Sequence, residues 1–308
     1  MRSELGGGAL LLAQLRFASR ATRLLARYPS VLLQVPRGFA RATHAMEQRV
    51  SERYRRDPRT SAVTGGARIH LNPGNTLAQN ASMAIAGWYE PPVTELLRAL
   101  SRPGGVVIDV GANVGWYTFL AAAGVGPQGR VVGIEPDPEN YRLLSLSLAE
   151  NPRGQIQLCN ECLSDHDGTE LLYLSDEAAS YHSISRAVGT RSIPVVSERL
   201  DSLIERNRLS SVVLVKIDVE GGEPKVIRGG LGAIHSGRIE NIILEWRSES
   251  WAAERSLWAD LTANYDVFRL VSSPRLRVRI FHPTLEAVDR ETRAAGIHGA
   301  DLFLSRRR

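Results

Sequence analysis

From residue 91 onward, short apolar runs alternate with longer stretches of mixed polarity. Pro91 and Pro92 open a predicted helix that extends through Leu100. Residues 106–110 read as a buried strand, 115–123 as a helix, 131–134 as a strand and 138–150 as a helix. Residues 156–158 form the centre of a third strand. Residues 212–217 form a fourth, followed by a helix after Gly222, and 239–245 a fifth, followed by a helix over 251–265. Strands apolar along their whole length and joined by helices imply a mostly parallel sheet covered on both faces. Residues 169–174 and 193–196 read as a hairpin inserted between the third and fourth strands, and 267–271 and 300–304 as two closing strands.

The first 90 residues lack this alternation. Leu11, Leu15 and Ala18 fall on one helical face, as do Leu24, Leu25 and Tyr28. A surface or capping helix is the expected form, with an Arg-rich transit peptide as the alternative. Turn signals at Thr64, Gly65 and Gly66 and at Asn72, Pro73 and Gly74 mark a lead-in that packs over the main domain. The expected organisation is thus a basic extension over 1–60, a cap segment over 61–90 and the main domain over 91–308.

Composition refines this picture in three ways. The chain has 308 residues, 43% hydrophobic and 23% charged, which permits a large core. The net charge of +5 is unevenly placed. Residues 1–60 hold twelve arginines against four acids, a net of +8, while the other 248 residues carry 26 basic and 29 acidic groups, a net of −3. A slightly acidic body argues against nucleic acid as a partner. No apolar run approaches the ~20 residues of a membrane span, so no integral membrane segment is expected. Cys159 and Cys162 allow no disulfide framework and point to a cytoplasmic protein. Their spacing, with His166 nearby, admits zinc, but ordinary buried thiols are the expected reading.

The densest chemistry follows the first strand. Asp109, Gly111, Asn113 and Gly115 stand where the strand turns into its helix. A dinucleotide would call for glycine at the position of Asn113 and another where Trp116, Tyr117 and Thr118 stand. The acid ahead of the loop suits S-adenosylmethionine instead: loop amides take its carboxylate, and acids face its ammonium and sulfonium. Glu135 follows the second strand, 24 residues beyond Gly111, near the ~20 at which an acid accepts both ribose hydroxyls. Asn160 or Glu161, after the third strand, falls where an adenine ring would lie, and the sequence does not choose between them.

Lys216, Asp218, Glu220 and Glu223 crowd the end of the fourth strand, and Glu245 ends the fifth. Ligands bind at that edge of open α/β sheets. The carboxylates either accept a proton from a substrate hydroxyl, hold a divalent cation, or form a structural network with Lys216. Direct contact with the acceptor, with no metal, is the reading taken for Asp218, Glu220 and Glu245. His182, in the inserted segment, is a further candidate base.

These residues resemble the FkbM-type S-adenosylmethionine-dependent methyltransferases. The resemblance is carried by Tyr89, Glu90 and Pro91; by the 107–115 segment around Asp109; by Gly133 to Pro136; by Leu163, Ser164, Asp165 and Gly168; by Leu200 to Leu203; and by Lys216 to Glu223. It covers roughly residues 85–250. Gly222 replaces the small residue, usually alanine, found there in the family. The resemblance implies a seven-stranded class I methyltransferase fold, Rossmann-like α/β, with helices on both faces. It also implies O-methylation of a hydroxyl on a small molecule such as a polyketide or sugar-containing metabolite. Asp109, Gly111, Asn113, Gly115 and Glu135 would hold the donor. Glu90 would fold over its methionine end. A nicotinamide-dependent oxidoreductase and a non-catalytic donor-binding protein are the alternatives.

Overall fold

The computed structural model describes residues 48–271, 277–280, 285–294 and 299–307. The helical faces expected within 1–45 lie outside them. The first hairpin joins β1 (Ser61–Thr64) to β2 (Ala67–His70). Gly65 and Gly66 take φ of +53° and +74° there, as a two-residue turn between twisted strands requires. Helix α1 (Leu77–Ala81) is capped by the Thr76 hydroxyl and runs into a π-helical turn over Ser82–Ala86. Helix α2 spans Pro91–Leu100, as the two prolines predict.

The main sheet is then assembled: β3 (Val106–Val110), α3 (Trp116–Val125), β4 (Arg130–Ile134), α4 (Pro138–Glu150) and β5 (Ile156–Cys159). A separate sheet follows, made of β6 (Cys162–Ser164), β7 (Gly168–Leu174) and β8 (Arg191–Arg199), in which β7 and β8 form the expected antiparallel hairpin. The chain returns through α5 (Leu200–Arg206), β9 (Leu214–Ile217), α6 (Glu223–Gly229), α7 (Leu231–His235) and β10 (Asn241–Arg247). It closes with α8 (Ser248–Trp251), α9 (Arg255–Asn264), β11 (Tyr265–Val271), β12 (Arg277–Ile280), α10 (Leu285–Ala294) and β13 (Gly299–Arg306).

The strand order is β12-β11-β13-β10-β9-β3-β4-β5. The five strands from β5 to β10 are parallel, and β13 runs antiparallel between β10 and β11. This is the seven-stranded, mostly parallel α/β sheet that the resemblance implies, with β12 added as an eighth strand at the edge. Chain order reverses between β3 and β9, opening a crevice at their C-terminal ends.

Period-two alternation sorts the core onto two faces. Ile108, Val132, Val215, Ile242 and Leu244 pack against α5, α6 and α9. Val107, Val131, Leu214 and Ile243 pack on the other side with Leu97, Phe119 and Leu120. Ala62, Ile69 and Met83 belong to that second core. The segment 61–90 is thus built into the main body.

One predicted helix needs correction. Residues 251–265 do not form a single helix: α8 ends at Trp251 and α9 starts at Arg255. The break lets two indoles reach one partner. Trp251 stacks on Trp246 at 5.4 Å, and Trp258 meets Trp246 edge-on at 5.0 Å. No helix among the described residues is long and apolar enough to cross a membrane.

Candidate active site

The site forms where β3 and β9 part. At Gly111 the loop passes so close to the neighbouring strand end that a Cβ would sit 1.9 Å from the Asp218 carbonyl oxygen, and φ is +81°. Only glycine fits. Asn113 also takes a left-handed φ of +49°, which turns its amide outward. That amide donates to Glu135 Oε2 at 2.7 Å, and the Asp137 amide donates to Oε1 at 2.9 Å. Asp137 in turn caps α4 by accepting from the Glu139 and Asn140 amides. Glu135 is therefore fixed at the end of β4. Burial pushes its carboxyl up to about 7 despite these two amides.

Two lobes share Gly111, Asn113, Ser180, Asp218 and Glu220 in their walls. The smaller, about 60 Å³, lies against Glu135, Pro136, Cys162 and Leu163. The larger, about 320 Å³, is lined among the described residues by four acids, Glu90, Asp218, Glu220 and Glu245, and two cationic side chains, Lys216 and Arg247. An acid-rich wall favours a cationic ligand.

Glu90 enters this wall from the turn ahead of α2, at φ +40° and ψ +70°. Its Oε2 accepts from the Tyr117 hydroxyl at 2.7 Å. Burial, followed by the Asp218 charge, raises its pKa. Lys216 is 3% exposed, bonds Asp218 Oδ2 at 2.9 Å and lies 4.6 Å from the centre of the Tyr117 ring. Burial opposes its charge, but Asp218, Asp109 and Glu90 more than offset this and hold its pKa above the ordinary lysine value.

Beyond Lys216, the carboxylates of Asp218, Glu220 and Glu245 bring oxygens within 4.8 Å of one another. Arg247 already stands among them. Its Nε and Nη2 fork the two oxygens of Glu245, both at 3.0 Å, and Nη2 also contacts Glu220 Oε2. Burial, then Asp218, raises Glu220 to about 8; the same causes, with Glu220 and Glu223 added, raise Glu245 well above the usual range.

Of the residues singled out from sequence, Glu90, Gly111, Asn113, Glu135, Asp218, Glu220 and Glu245 line these lobes. Gly115 starts α3 behind them at φ +95°, packed on Leu144 and Phe119. Three others are placed differently. Asp109 lines neither lobe: it lies 1% exposed beneath the loop and accepts from Thr118 Oγ1 at 2.6 Å. Asn160 donates to the Glu135 and Pro136 carbonyls at 2.8 and 3.2 Å, so it buttresses the Glu135 turn. Glu161 turns away to Arg206 at 2.6 Å, and Cys162 and Leu163 take the wall position expected of it. His182 is no free base. Its Nδ1 accepts from the Ser175 amide, its Nε2 faces Asp137 at 3.7 Å, and burial lowers its pKa. Both cysteines are free and buried, and burial pushes the Cys162 thiol up to about 12, which keeps it neutral.

The residues that sequence reasoning missed are Arg247, Tyr117 and Asp301. Arg247 is two positions past Glu245 on one strand, so period two placed it on the same face. Asp301 pairs with Glu245 across β10 and β13, a neighbour that only the closed sheet reveals.

The donor set suits S-adenosylmethionine: a buried carboxylate beside the loop for ribose hydroxyls, and an acid-rich wall for its cationic end. The family model described as Methyltransferase FkbM domain matches residues 109–267. The hexuronic acid methyltransferase AglP of Haloferax volcanii is 29% identical over 148 residues, covering 48% of this chain and 59% of that protein. Methyltransferase 1 of Beauveria bassiana is 26% identical over 159 residues, covering 45% and 63%. The matches thus span about three fifths of either relative's length. Among solved structures, Methyltransferase FkbM from Methylobacillus flagellatus KT is 14% identical, with 84% of this chain and 57% of that chain covered and a TM-score of 0.40. The family match takes in more than half of the sequence and both halves of the site, and the chain belongs to the FkbM family of S-adenosylmethionine-dependent methyltransferases.

Proposed function

We propose that the protein methylates a hydroxyl oxygen of a small, polyhydroxylated metabolite, with a sugar or sugar acid as the leading acceptor class. One observation carries this reading: the acid-rich lobe that shares its wall with the donor loop ends in three carboxylates at the tips of β9 and β10. A hydroxyl nucleophile must lose a proton as it gains a methyl, and carboxylates in reach of it are suited to take that proton. Bound S-adenosylmethionine supplies an electrophilic methyl group. The chain's own part is to hold and orient. Glu135 accepts from ribose hydroxyls, and Gly111 lets the loop backbone approach closely. The Gly111, Ala112, Asn113 and Gly115 amides are bonded to Ile134, Glu135 and Ala112 and do not take the donor carboxylate as the sequence suggested. Glu90 and Asp218 face the cationic end. Positioning of this kind supplies roughly 7–11 kcal/mol of barrier reduction.

The name of the Haloferax volcanii relative, a hexuronic acid methyltransferase, supports a sugar acid as the first acceptor to test. The net charge of −3 over residues 61–308 disfavours a nucleic-acid backbone as the acceptor. The free, buried thiols suit a reducing compartment, and we place the activity in the cytoplasm. The decisive experiment is a methyl-transfer screen with labelled donor against hexuronic acids, neutral sugars and polyketide alcohols, with RNA as a control. Transfer to oxygen of a small acceptor is the expected result. Labelling of RNA alone, or of a nitrogen or carbon acceptor alone, would overturn it.

A further inference from the structure

The three carboxylates at the acceptor end are not equivalent. Asp218 gives Oδ2 to Lys216 at 2.9 Å. Glu245 gives both oxygens to the Arg247 fork at 3.0 Å each. Glu220 gives only Oε2 to Arg247, and it lines both lobes. Its backbone holds a left-handed φ of +57°, a conformation that costs energy for a residue with a side chain. The Ser183 hydroxyl donates to its carbonyl at 2.8 Å and secures that turn.

We infer that Arg247 is a positioning residue that divides the work of the pair: it pins both oxygens of Glu245 and presents Glu220, through the Oε1 left unbonded among the described residues, as the proton acceptor for the substrate hydroxyl. The inference rests on the reading of the site as one for O-methyl transfer. A bidentate fork occupies both oxygens of the Glu245 carboxyl group and fixes its plane. A guanidinium with one further N–H directed at Glu220 holds that side chain without using up its basicity. The proton of the acceptor hydroxyl goes to Glu220 Oε1. The electron pair left on that oxygen forms the new C–O bond to the methyl, and the pair of the broken C–S bond stays on sulfur as a neutral thioether. Glu220 ends the cycle protonated and returns its proton to solvent.

The charges around Glu220 agree with this division. Burial, then Asp218 at the end of β9 and Glu223 from α6, disfavour its ionisation, while Arg247 from β10 and Arg186 from the inserted segment favour it. Glu220 in turn disfavours the ionisation of Glu245. Burial and the neighbouring carboxylates hold the Glu220 carboxyl at about 8, so its ionised, proton-accepting form gains population as pH rises through that value.

The test uses the full chain with carbon-13 label at glutamate carboxyls, followed by NMR from pH 5 to 10, together with kinetics on whichever acceptor is methylated. The wild type is expected to show a carboxyl titrating near pH 8. E220Q removes that signal, E245Q leaves a titrating signal moved to lower pH, and E135Q removes only a separate one. R247M moves the alkaline signal upward. In kinetics, E220Q lowers kcat at least a hundredfold with the donor KM unchanged, and E220D recovers part of it. R247K, which keeps the charge but not the fork, lowers kcat about tenfold. If E245Q removes the titrating signal and E220Q leaves it, or if R247M does not move it, the inference is wrong. If no hydroxyl acceptor is methylated, the proposed function fails instead, and the NMR arm still decides how the pair shares its proton.

Discussion

Replacing Glu135 by glutamine separates binding from folding. In the wild type, burial raises the carboxyl from 4.5 to about 7. The folded, donor-free chain therefore holds the proton that the unfolded chain has lost. Its stability falls as pH rises from 4.5 to about 7, by about 3 kcal/mol in all, and Glu135→Gln removes that penalty. Against this, the glutamine carbonyl can serve only one of the two amides from Asn113 and Asp137. Its NH₂ group faces the other and leaves a buried donor unpaired, at a cost of about 1–3 kcal/mol. The two terms nearly cancel, so the melting temperature at pH 8 is expected to stay within a few degrees of wild type. Donor binding has no such offset. Hydrogen bonds from two ribose hydroxyls to a charged acceptor are weakened, which costs roughly 1.5–3 kcal/mol, or about tenfold to a hundredfold in Kd. Calorimetry with the demethylated donor, which binds without reacting, reads this directly. Ribose hydroxyls stabilise the ionised carboxylate, so wild-type affinity is also expected to rise between pH 6 and 8, while the variant's stays flat. An unchanged Kd in Glu135→Gln, or a loss of affinity that merely follows a collapse in melting temperature, would refute the reasoning.

Three further substitutions test the frame around the site. Gly111→Ala places a Cβ 1.9 Å from a backbone oxygen at φ +81°, so urea unfolding is expected to show a loss of roughly 2–5 kcal/mol. Glu161→Gln leaves donor affinity within twofold of wild type by calorimetry, because this carboxylate serves Arg206 and not the cavity. Trp258→Ala removes one of three mutually packed indoles and costs about 3–5 kcal/mol in denaturant unfolding. It lies outside both lobes, so donor affinity measured well below the melting temperature is expected to be retained.

What could be read from the chain follows the range of the interaction involved. The parallel strands were legible because each needs apolar side chains on both faces, and β3, β4 and β9 satisfy that within five residues or fewer. The placing of the Gly111 turn and of Glu135 beside it was legible because both are local: a turn that only glycine can make, then an acid one strand away. Asn160 and Glu161 were not separable, because a strand end does not say which of two polar neighbours turns inward. The structure turns both out of the cavity, one to backbone carbonyls and one to Arg206. The placing of Asp301 beside Glu245 depends on how β10 pairs with β13, a contact across more than fifty residues of chain, and the contact of Arg247 with Glu220 depends on the parallel pairing of β10 with β9. The break between α8 and α9 was hidden for a similar reason, since the helical pattern of 251–265 is sound by itself and yields to the stacking of Trp251 on Trp246.

Backbone strain shows where the chain spends stability on aim. Among the described residues, four that are not glycine take positive φ, and three of them, Glu90, Asn113 and Glu220, line the larger lobe. Each such residue costs about 1–3 kcal/mol relative to a relaxed conformation. Glycine would relieve that cost at every one of the three, but it would carry no carboxylate or amide. The three come from separate stretches of chain: the turn before α2, the loop after β3 and the turn after β9. A shared turn motif therefore does not account for their meeting. What they have in common is the cavity. In each case the left-handed bend directs a polar side chain or an amide toward it, where an extended backbone would point the group elsewhere. The surrounding contacts bear the load: the Tyr117 hydroxyl on Glu90, Asn75 Nδ2 on Asn113 Oδ1 at 3.2 Å, and Ser183 on the Glu220 carbonyl. The arrangement persists because a rigid sheet and two packed cores overdetermine it, and that rigidity fixes the positions of the groups to which the methyl donor and its acceptor are assigned.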